Sequence, residues 1–248
     1  MKKIVILSLL SLSLLAQTSL EVAQTSYAQV SNYKTSISKT TMILENAQGV
    51  KNIRKLEIKK LENQNGDKSL LTFLYPTDLK GTKLLSFERI GKDDKQWLYL
   101  PAIKRVKRIS SRNKSGSFMA SEFSYEDISS QNYKNYLYKG EAKKVIRNNI
   151  EYFKIIRTPK DTHSGYTKQI VWIDTKNYLP YFGSYYDKHN RLLKKVTFSQ
   201  YKKLGNIYRV HKIVMYNVQN KKRSTLMWDE DKIGMKLSKK EFSKRALR

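Results

Sequence analysis

Apolar and polar residues alternate with a period of two along most of the chain after residue 40, and turn residues interrupt the alternation at short intervals. The clearest case is 207–218, where one face collects the apolar side chains Tyr208, Val210, Val214, Tyr216 and Val218. Short alternating segments separated by turn signals are typical of antiparallel strands. The pattern therefore predicts an all-β protein.

The alternation predicts strands over 40–46, 50–62, 69–75, 82–89, 96–100, 103–109, 133–141, 149–158, 166–174, 179–186, 192–201, 207–218 and 222–233. Turn signals such as Asn65-Gly66-Asp67 and Leu204-Gly205-Asn206 lie between them. Roughly a dozen strands are more than one flat open sheet usually carries, so we expect the sheet to curl strongly.

Several predicted strands are apolar on both faces. In 69–75, Leu71, Phe73 and Tyr75 point one way, while Leu70 and Leu74 point the other. A strand of this kind in an antiparallel sheet needs cover on both sides. The concave side of the curved sheet must therefore hold helices, a second layer of sheet or a bound apolar ligand.

Helix signals are few and short. The segment 32–41 is weakly amphipathic, 121–130 has Ser121 or Ser124 as a cap with Asp127 three residues after Ser124, and 238–247 resembles a terminal helical turn. We predict short helices in these three places. They are too short to fill a large curved sheet alone.

The N-terminal residues 1–28 are predicted to be an export signal. Lys2 and Lys3 precede an apolar run at 4–15, and Ser26-Tyr27-Ala28 provides a small-x-small cleavage site, with earlier sites near Ala16 or Ala23 as alternatives. The run is shorter than the ~20 residues that span a bilayer. We therefore predict a cleaved signal, a single mature domain over 29–248 and a periplasmic location.

The net charge is +28, from 49 Lys and Arg against 21 Asp and Glu. Removal of 1–28 leaves 47 basic against 20 acidic residues, or +27. A charge of this size indicates an anionic partner, and export favours a membrane surface over nucleic acid. The chain contains no Cys, which excludes disulfides, thiol catalysis and a lipidated cysteine. None of its three His falls in a metal-binding motif, and no nucleophile elbow or phosphate-binding loop is present, so we predict no enzyme activity, cofactor or metal.

The most distinctive stretch is 94–127. An aromatic strand, QWLYL, is followed by a basic run, a Ser- and Gly-containing loop and the acidic residues Glu122, Glu126 and Asp127. One interpretation is a mobile basic flap beside an apolar mouth. The other is a solvated hairpin face that pairs internally with the acidic residues, since surface ion pairs are common and contribute only ~0–1 kcal/mol each.

This stretch resembles the bacterial outer-membrane lipoprotein-sorting family, the LolA-like periplasmic carriers. The similar pieces are FLYPTDLKGT at 73–82, QWLYLPAIKRVKRISS at 96–111, KSGSFMASEFSYED at 114–127, YYDKHNRLLKK at 185–195 and the terminal FSKRALR. Two departures are Ala120, where the family usually has Gly, and Glu122, where it usually has Asp. The resemblance implies an incomplete antiparallel β-barrel, wrapped around helices, with an apolar cavity for acyl chains.

Candidate site residues follow from these patterns. The residues predicted to line or rim the cavity are Trp97, Tyr99, Phe118, Trp172 and Phe182. The residues predicted to contact a lipid headgroup or membrane are Lys104, Arg105, Lys107, Arg108, Arg112 and Lys114.

The resulting hypothesis is a monomeric carrier that shields an acyl chain of a lipoprotein or lipid and hands it toward the outer membrane, with partner proteins at both membranes. The main alternative is a periplasmic accessory module that docks on a membrane transporter or an anionic lipid surface through its basic face. A nucleic-acid binder is a third class, which export disfavours.

Overall fold

The computed structural model describes residues 16–129 and 131–248. Two α-helices and sixteen strands are assigned within them, together with several short 3₁₀ helices. The helices are α1 (Ser19–Val30) and α2 (Tyr125–Ile128). The strands are β1 (Thr35–Glu45), β2 (Lys51–Leu61), β3 (Lys68–Tyr75), β4 (Lys83–Phe87), β5 (Lys95–Leu100), β6 (Arg105–Ile109), β7 (Tyr136–Tyr138), β8 (Lys143–Arg147), β9 (Ile150–Pro159), β10 (Lys168–Asp174), β11 (Pro180–Tyr186), β12 (Leu192–Ser199), β13 (Lys202–Leu204), β14 (Ile207–Arg209), β15 (Lys212–Asn217) and β16 (Arg223–Ile233).

Fourteen of these strands form one antiparallel sheet with the order β6-β5-β4-β3-β2-β1-β16-β15-β12-β11-β10-β9-β7, and β8 also pairs with β9. The central pairing of β1 with β16 joins the two ends of the chain. Strands β13 and β14 form a separate hairpin. Because β6 and β7 end the sheet and do not pair, the sheet is a strongly curved, incomplete barrel, as predicted.

The register of the first hairpin shows how local chemistry fixes which side chains face inward. Asn46 accepts hydrogen bonds from the backbone of Gln48 and Val50 through its side chain, and Gly49 takes a left-handed φ of 83°. This turn aligns β1 with β2, so that alternate residues of β1 are buried on the concave side. A slip of one residue would turn every buried side chain outward.

The apolar residues separate onto two sides of the sheet. The concave side carries the largest cluster, which includes Met42, Leu56, Phe73 and Phe118, all 0% exposed. On the convex side, Phe242 and Leu247 of the C-terminal tail pack against β3, β4 and β5. The strands that carry apolar residues on both faces are therefore packed against other residues on both sides of the sheet.

Helix α1 supplies part of the concave cover. Thr18 and Glu21 form a capping box at its start, and Val22 is fully buried against β9 and β10. The predicted signal boundary at residue 28 lies inside this helix, and residues 1–15 lie outside the described part of the chain. No described helix is long and apolar enough to cross a membrane.

The predicted helix over 32–41 is wrong, because β1 begins at Thr35. Every second residue of this part of β1, namely Ser36, Ser38 and Thr40, is buried, which is the period of a strand. Because these side chains are small and polar, the sequence pattern did not reveal that period. The predicted strand over 207–218 is divided into β14 and β15 around the buried His211. The capped turn at Ser124 is confirmed, since Ser124 and Asp127 form a capping box for α2.

Candidate ligand cavity and the segment that closes it

The concave side encloses two neighbouring cavities, of about 300 Å³ and about 200 Å³, that share lining residues. The shared lining includes Tyr27 and Val30 of α1 together with Phe198 and Ile213 of the sheet. A helix lying in the lumen of the curved sheet therefore borders both spaces. The larger one reaches the lower end of the range for small-molecule sites, about 300–1,000 Å³.

The wall of the larger cavity is mostly apolar along one row of the sheet. Cross-strand pairing brings Ser38, Ile58, Leu71, Leu84 and Leu98 side by side on β1 to β5. Ile58, Leu71 and Leu84 line the cavity. On β16, the neighbour of β1 in the sheet, Leu226 and Trp228 continue the wall. This part of the cavity lining is therefore apolar.

One end of the larger cavity is polar. Arg209 pairs with Asp231 at 2.8 Å and 3.1 Å and lies over the ring of Tyr33 at 4.6 Å. Glu62 accepts hydrogen bonds from the backbone of Asn32 and Lys34 at 3.0 Å and 2.7 Å. Burial raises the pKa of the Tyr33 hydroxyl, which therefore remains neutral at physiological pH.

Lys60 also lies at this polar end, where it lines the cavity. Desolvation and the nearby Arg209 lower the pKa of its ammonium, while Asp67, Glu88 and Asp231 oppose that shift. Sequence reasoning missed this residue, although a signal was present. The alternation of Leu56, Ile58 and Lys60 places a lysine at the third inward position of β2.

Residues 111–129, which we call the closing segment, lie in the chain between β6 and β7, the two strands that end the sheet. Phe118 and Phe123 are buried in the main core, and the side-chain amide of Gln96 donates to the backbone oxygen of Tyr125 at 3.0 Å. The closing segment thus belongs to the packed interior.

Acidic residues of the closing segment form ion pairs and hydrogen bonds with β12 and β15. The Lys194 ammonium lies 3.0 Å from the Asp127 carboxylate, and the two side chains are 8% and 5% exposed. The hydroxyl of Tyr166 donates to Asp127, and the Lys194 ammonium donates to that hydroxyl at 2.8 Å. Glu122 accepts from the amide of Asn217 at 2.7 Å. These acids therefore bind β12, β15 and Tyr166 in the loop before β10 rather than the neighbouring basic run.

Hydrogen bonds and burial have opposite effects on the pKa of Glu126. It accepts from the Ser164 hydroxyl at 2.7 Å and from the backbone N–H of Gly165 at 2.8 Å. Desolvation, reinforced by the nearby Asp127, raises the pKa of Glu126 to about 7. This carboxyl therefore titrates near neutral pH.

The five predicted cavity residues lie elsewhere. Trp97 and Tyr99 face the convex side, where Trp97 packs with Phe242 and Leu247 of the C-terminal tail. Phe118 belongs to the main core, 5.9 Å from the ring of Phe73.

Trp172 and Phe182 are cross-strand partners, and the Arg147 guanidinium lies 4.0 Å from the ring centre of Phe182. The smaller cavity instead contacts the residues of opposite parity, Val171 and Ile173. None of the five predicted residues lines either cavity.

The predicted headgroup residues divide into two groups. Lys104, Arg105, Lys107, Arg108 and Arg112 are exposed on and beside β6, the edge strand of the sheet. Lys114 instead pairs closely with Asp161, and its side chain is only 12% exposed. The exposed five form a basic edge, whereas Lys114 belongs to the packed closing segment.

Among the described residues, one group of three side chains has the spacing of potential metal ligands. Potential ligand atoms of Asp93, Asp161 and His163 lie within 4.8 Å of one another. The Lys114 ammonium already neutralises Asp161, so this group has the features of a surface ion-pair network.

Comparison with known proteins identifies the family and the class of protein. A family described only as uncharacterized protein-like matches residues 65–248. A domain from Vibrio parahaemolyticus assigned to outer membrane lipoprotein sorting is 41% identical, with a TM-score of 0.88 over 92% of this chain and 97% of that one. A DUF1329 family protein from Desulfovibrio piger is 28% identical, with a TM-score of 0.87 over 93% and 98% of the two chains. A search of curated protein sequences gave no match.

A LolA superfamily protein from Nitrosomonas europaea shares the fold at 18% identity, with a TM-score of 0.77 over 93% of this chain and all of that one. The incomplete barrel around a helix and an apolar lumen is therefore a LolA-like fold. The chain belongs to the family of outer membrane lipoprotein-sorting protein domains represented by the Vibrio structure.

Proposed function

We propose that the protein is a periplasmic carrier that holds an acyl chain of a lipoprotein or lipid in the lumen of its incomplete barrel. The observation that carries the proposal is the apolar cavity of about 300 Å³ between α1 and the concave face. The relationship to a lipoprotein-sorting domain supports the same class of cargo. The carrier works by binding and release, without chemical change of its cargo.

The physical basis is the cost of exposing an acyl chain to water. Each buried CH₂ contributes about 0.8 kcal/mol, so a chain of a dozen carbons crosses an aqueous space far more readily inside an apolar pocket. The curved sheet supplies that pocket because its concave row of Ile58, Leu71 and Leu84 faces the lumen. Hand-over to a membrane then requires only an opening of the lumen.

Export with cleavage near Ala16 fits the packing of the N-terminal region. The backbone oxygen of Gln17 accepts from Ala142 at 2.9 Å, and its side chain accepts from the Tyr178 hydroxyl at 3.0 Å. Cleavage after residue 28 would remove most of α1, including the fully buried Val22. N-terminal sequencing of the exported protein distinguishes the two sites, and a start at Gln29 would contradict this assignment.

A cavity-filling variant tests the carrier proposal. Ile213→Trp places a large ring where both cavities meet, while Ile156→Trp makes the same change at a residue of β9 that is 47% exposed. We expect Ile213→Trp to lower the affinity for a fluorescent fatty acid at least tenfold and Ile156→Trp to leave it unchanged. Equal affinities in both variants would contradict binding in the lumen.

A second candidate function is docking on an anionic membrane or a membrane transporter, and the exposed basic edge at β6 favours it. Co-sedimentation with anionic liposomes across a salt series separates the two functions. Docking by exposed charges weakens steeply with salt, whereas binding in an apolar lumen does not.

A further inference from the structure

The concave face of β1 to β5 changes character between two adjacent rows. The apolar row described above has a polar neighbour, one step further along the strands, in which register places Ser36, Lys60, Ser69, Ser86 and Gln96 side by side. Directly paired residues of a sheet have their side chains on the same face. The lumen therefore has an apolar zone and a polar zone in contact.

Two groups of the polar row lack a hydrogen-bond partner. Among residues 16–129 and 131–248, the Lys60 ammonium makes no hydrogen bond and no ion pair, and the carboxylates of Asp67, Glu88 and Asp231 act on it through their charge. The Ser36 hydroxyl, opposite Lys60 on β1, is buried and also lacks a partner among the described residues. A buried polar group without a hydrogen bond costs about 1–3 kcal/mol, which a ligand oxygen would relieve.

The neighbouring charged groups of the polar zone are already engaged. Arg209 is bound to Asp231, Glu62 accepts two backbone N–H groups, and Glu88 accepts from the amide of Asn135 at 2.8 Å. Lys60 is therefore the cation of this zone that is available to a ligand, among the residues described.

The balance of charge decides what kind of ligand group fits. Four carboxylates, those of Glu62, Asp67, Glu88 and Asp231, face two cations at this end of the lumen. An additional carboxylate or phosphate would add to that excess of negative charge. An uncharged group with acceptor oxygens can accept a hydrogen bond from Lys60 without this repulsion.

We propose that Lys60 and Ser69, which both line the larger cavity, form a subsite for the uncharged, oxygen-bearing headgroup of a single-chain lipid, such as the glycerol ester of a monoacylglycerol. The acyl chain lies along the adjacent row of Ile58, Leu71 and Leu84, and Lys60 donates to an ester or hydroxyl oxygen. This inference rests on the proposed carrier function and adds the class of headgroup.

Competition against a neutral apolar probe tests the subsite. N-phenyl-1-naphthylamine reports occupancy of the apolar zone, and 1-monolauroylglycerol and laurate compete with it at the same chain length. We expect the wild type to bind the monoacylglycerol at least threefold more tightly than laurate. Lys60→Met should weaken the monoacylglycerol about tenfold, the loss expected when one hydrogen bond to a charged donor is removed, and leave the probe unchanged.

Lys55→Met is the matched control, because Lys55 is an exposed lysine of the same strand. Lys60→Gln keeps a donor and should retain affinity within about threefold of wild type. Because Lys60→Met also removes one of the two cations that face four carboxylates, its affinity for N-phenyl-1-naphthylamine is the check that the lumen is intact. Loss of the probe together with the monoacylglycerol would show a structural role for Lys60 and contradict the subsite.

The outcomes separate this inference from the carrier function. If neither the probe nor either lipid binds the wild type, the carrier proposal fails and the subsite with it. If the lipids bind but Lys60→Met changes nothing, or if laurate binds more tightly, only the subsite is overturned.

Discussion

The basic edge and the closing segment come from one continuous stretch of sequence, yet they have opposite environments. Arg105, Lys107 and Arg108 are exposed on the edge strand β6. Glu122 and Asp127, about twenty residues later, are bound to Asn217 and to the buried Lys194. Among the described residues, no member of the basic run forms an ion pair with Glu122, Glu126 or Asp127, and Lys114 pairs with the more distant Asp161 instead. The basic run therefore does not pair with the acidic residues of its own stretch.

This contrast indicates different roles for similar residue types. A buried charge pair fixes one arrangement of the chain and is costly to break, whereas exposed charges affect folding little and remain free to meet an anionic surface. We therefore expect substitutions in the closing segment to change stability and substitutions on the basic edge to change association.

The largest effect should come from Lys194→Met. This change leaves the carboxylate of Asp127 buried without its cation, which should destabilise the protein by about 3–5 kcal/mol. Lys195→Met, at the exposed neighbouring lysine, should change stability by no more than about 0.5 kcal/mol. Urea denaturation measures both, and equal midpoints would show that the buried pair does not fasten the closing segment.

The pH dependence of protein stability should reveal the raised pKa of Glu126. Because its pKa is about 7 in the folded protein and near 4.5 when unfolded, the folded state binds more protons between these values. Stability should therefore fall as pH rises from 4.5 to 7. Glu126→Gln should remove this slope and stabilise the protein by about 3 kcal/mol at pH 8, with almost no gain at pH 4.5. A constant difference at both pH values would contradict the assignment.

Ala120 lies in the closing segment with a left-handed φ of 62°, a conformation that costs a residue with a Cβ about 1–2 kcal/mol. Ala120→Gly should remove that cost, but glycine also gives the unfolded chain more conformational entropy, which opposes folding. The net effect should be a stabilisation of about 0.5–1 kcal/mol. Ala102→Gly, at a residue without a positive φ, should destabilise instead. Destabilisation by both variants, in thermal melts, would mean that Ala120 is unstrained.

The smallest effect on folding should follow replacement of Lys104, Arg105, Lys107 and Arg108 by Ser. Each is exposed, so each should change stability by no more than about 0.5 kcal/mol. Binding to anionic liposomes should fall and lose most of its salt dependence. A variant that unfolds, or that binds liposomes as the wild type does, would contradict the division between the two regions.

Much of the fold could be predicted from the sequence because alternation is a local property. The segments 50–62 and 192–201 correspond closely to β2 and β12. The short strand β8 was missed, since only Val145 is partly buried within it and no alternation marks it. Helix α1 was assigned to the signal because its small and apolar residues also satisfy the pattern of a cleavage region.

The cavity lining was harder to predict, because alternation shows which residues share a face but not which face is concave. Trp97 and Trp172, two of the predicted lining residues, both lie on the side opposite the lumen. The concave side is defined only by the whole sheet, and Phe242 and Leu247 of the C-terminal tail cover the other side. Long-range packing of this kind is not encoded in any one strand.

The central claim is that the lumen carries an acyl chain, and native mass spectrometry of the protein purified from its own cell envelope tests it most directly. The carrier function predicts a population with the added mass of an acylated molecule, which Ile213→Trp abolishes and Ile156→Trp retains. Only unliganded protein in all three samples would contradict it.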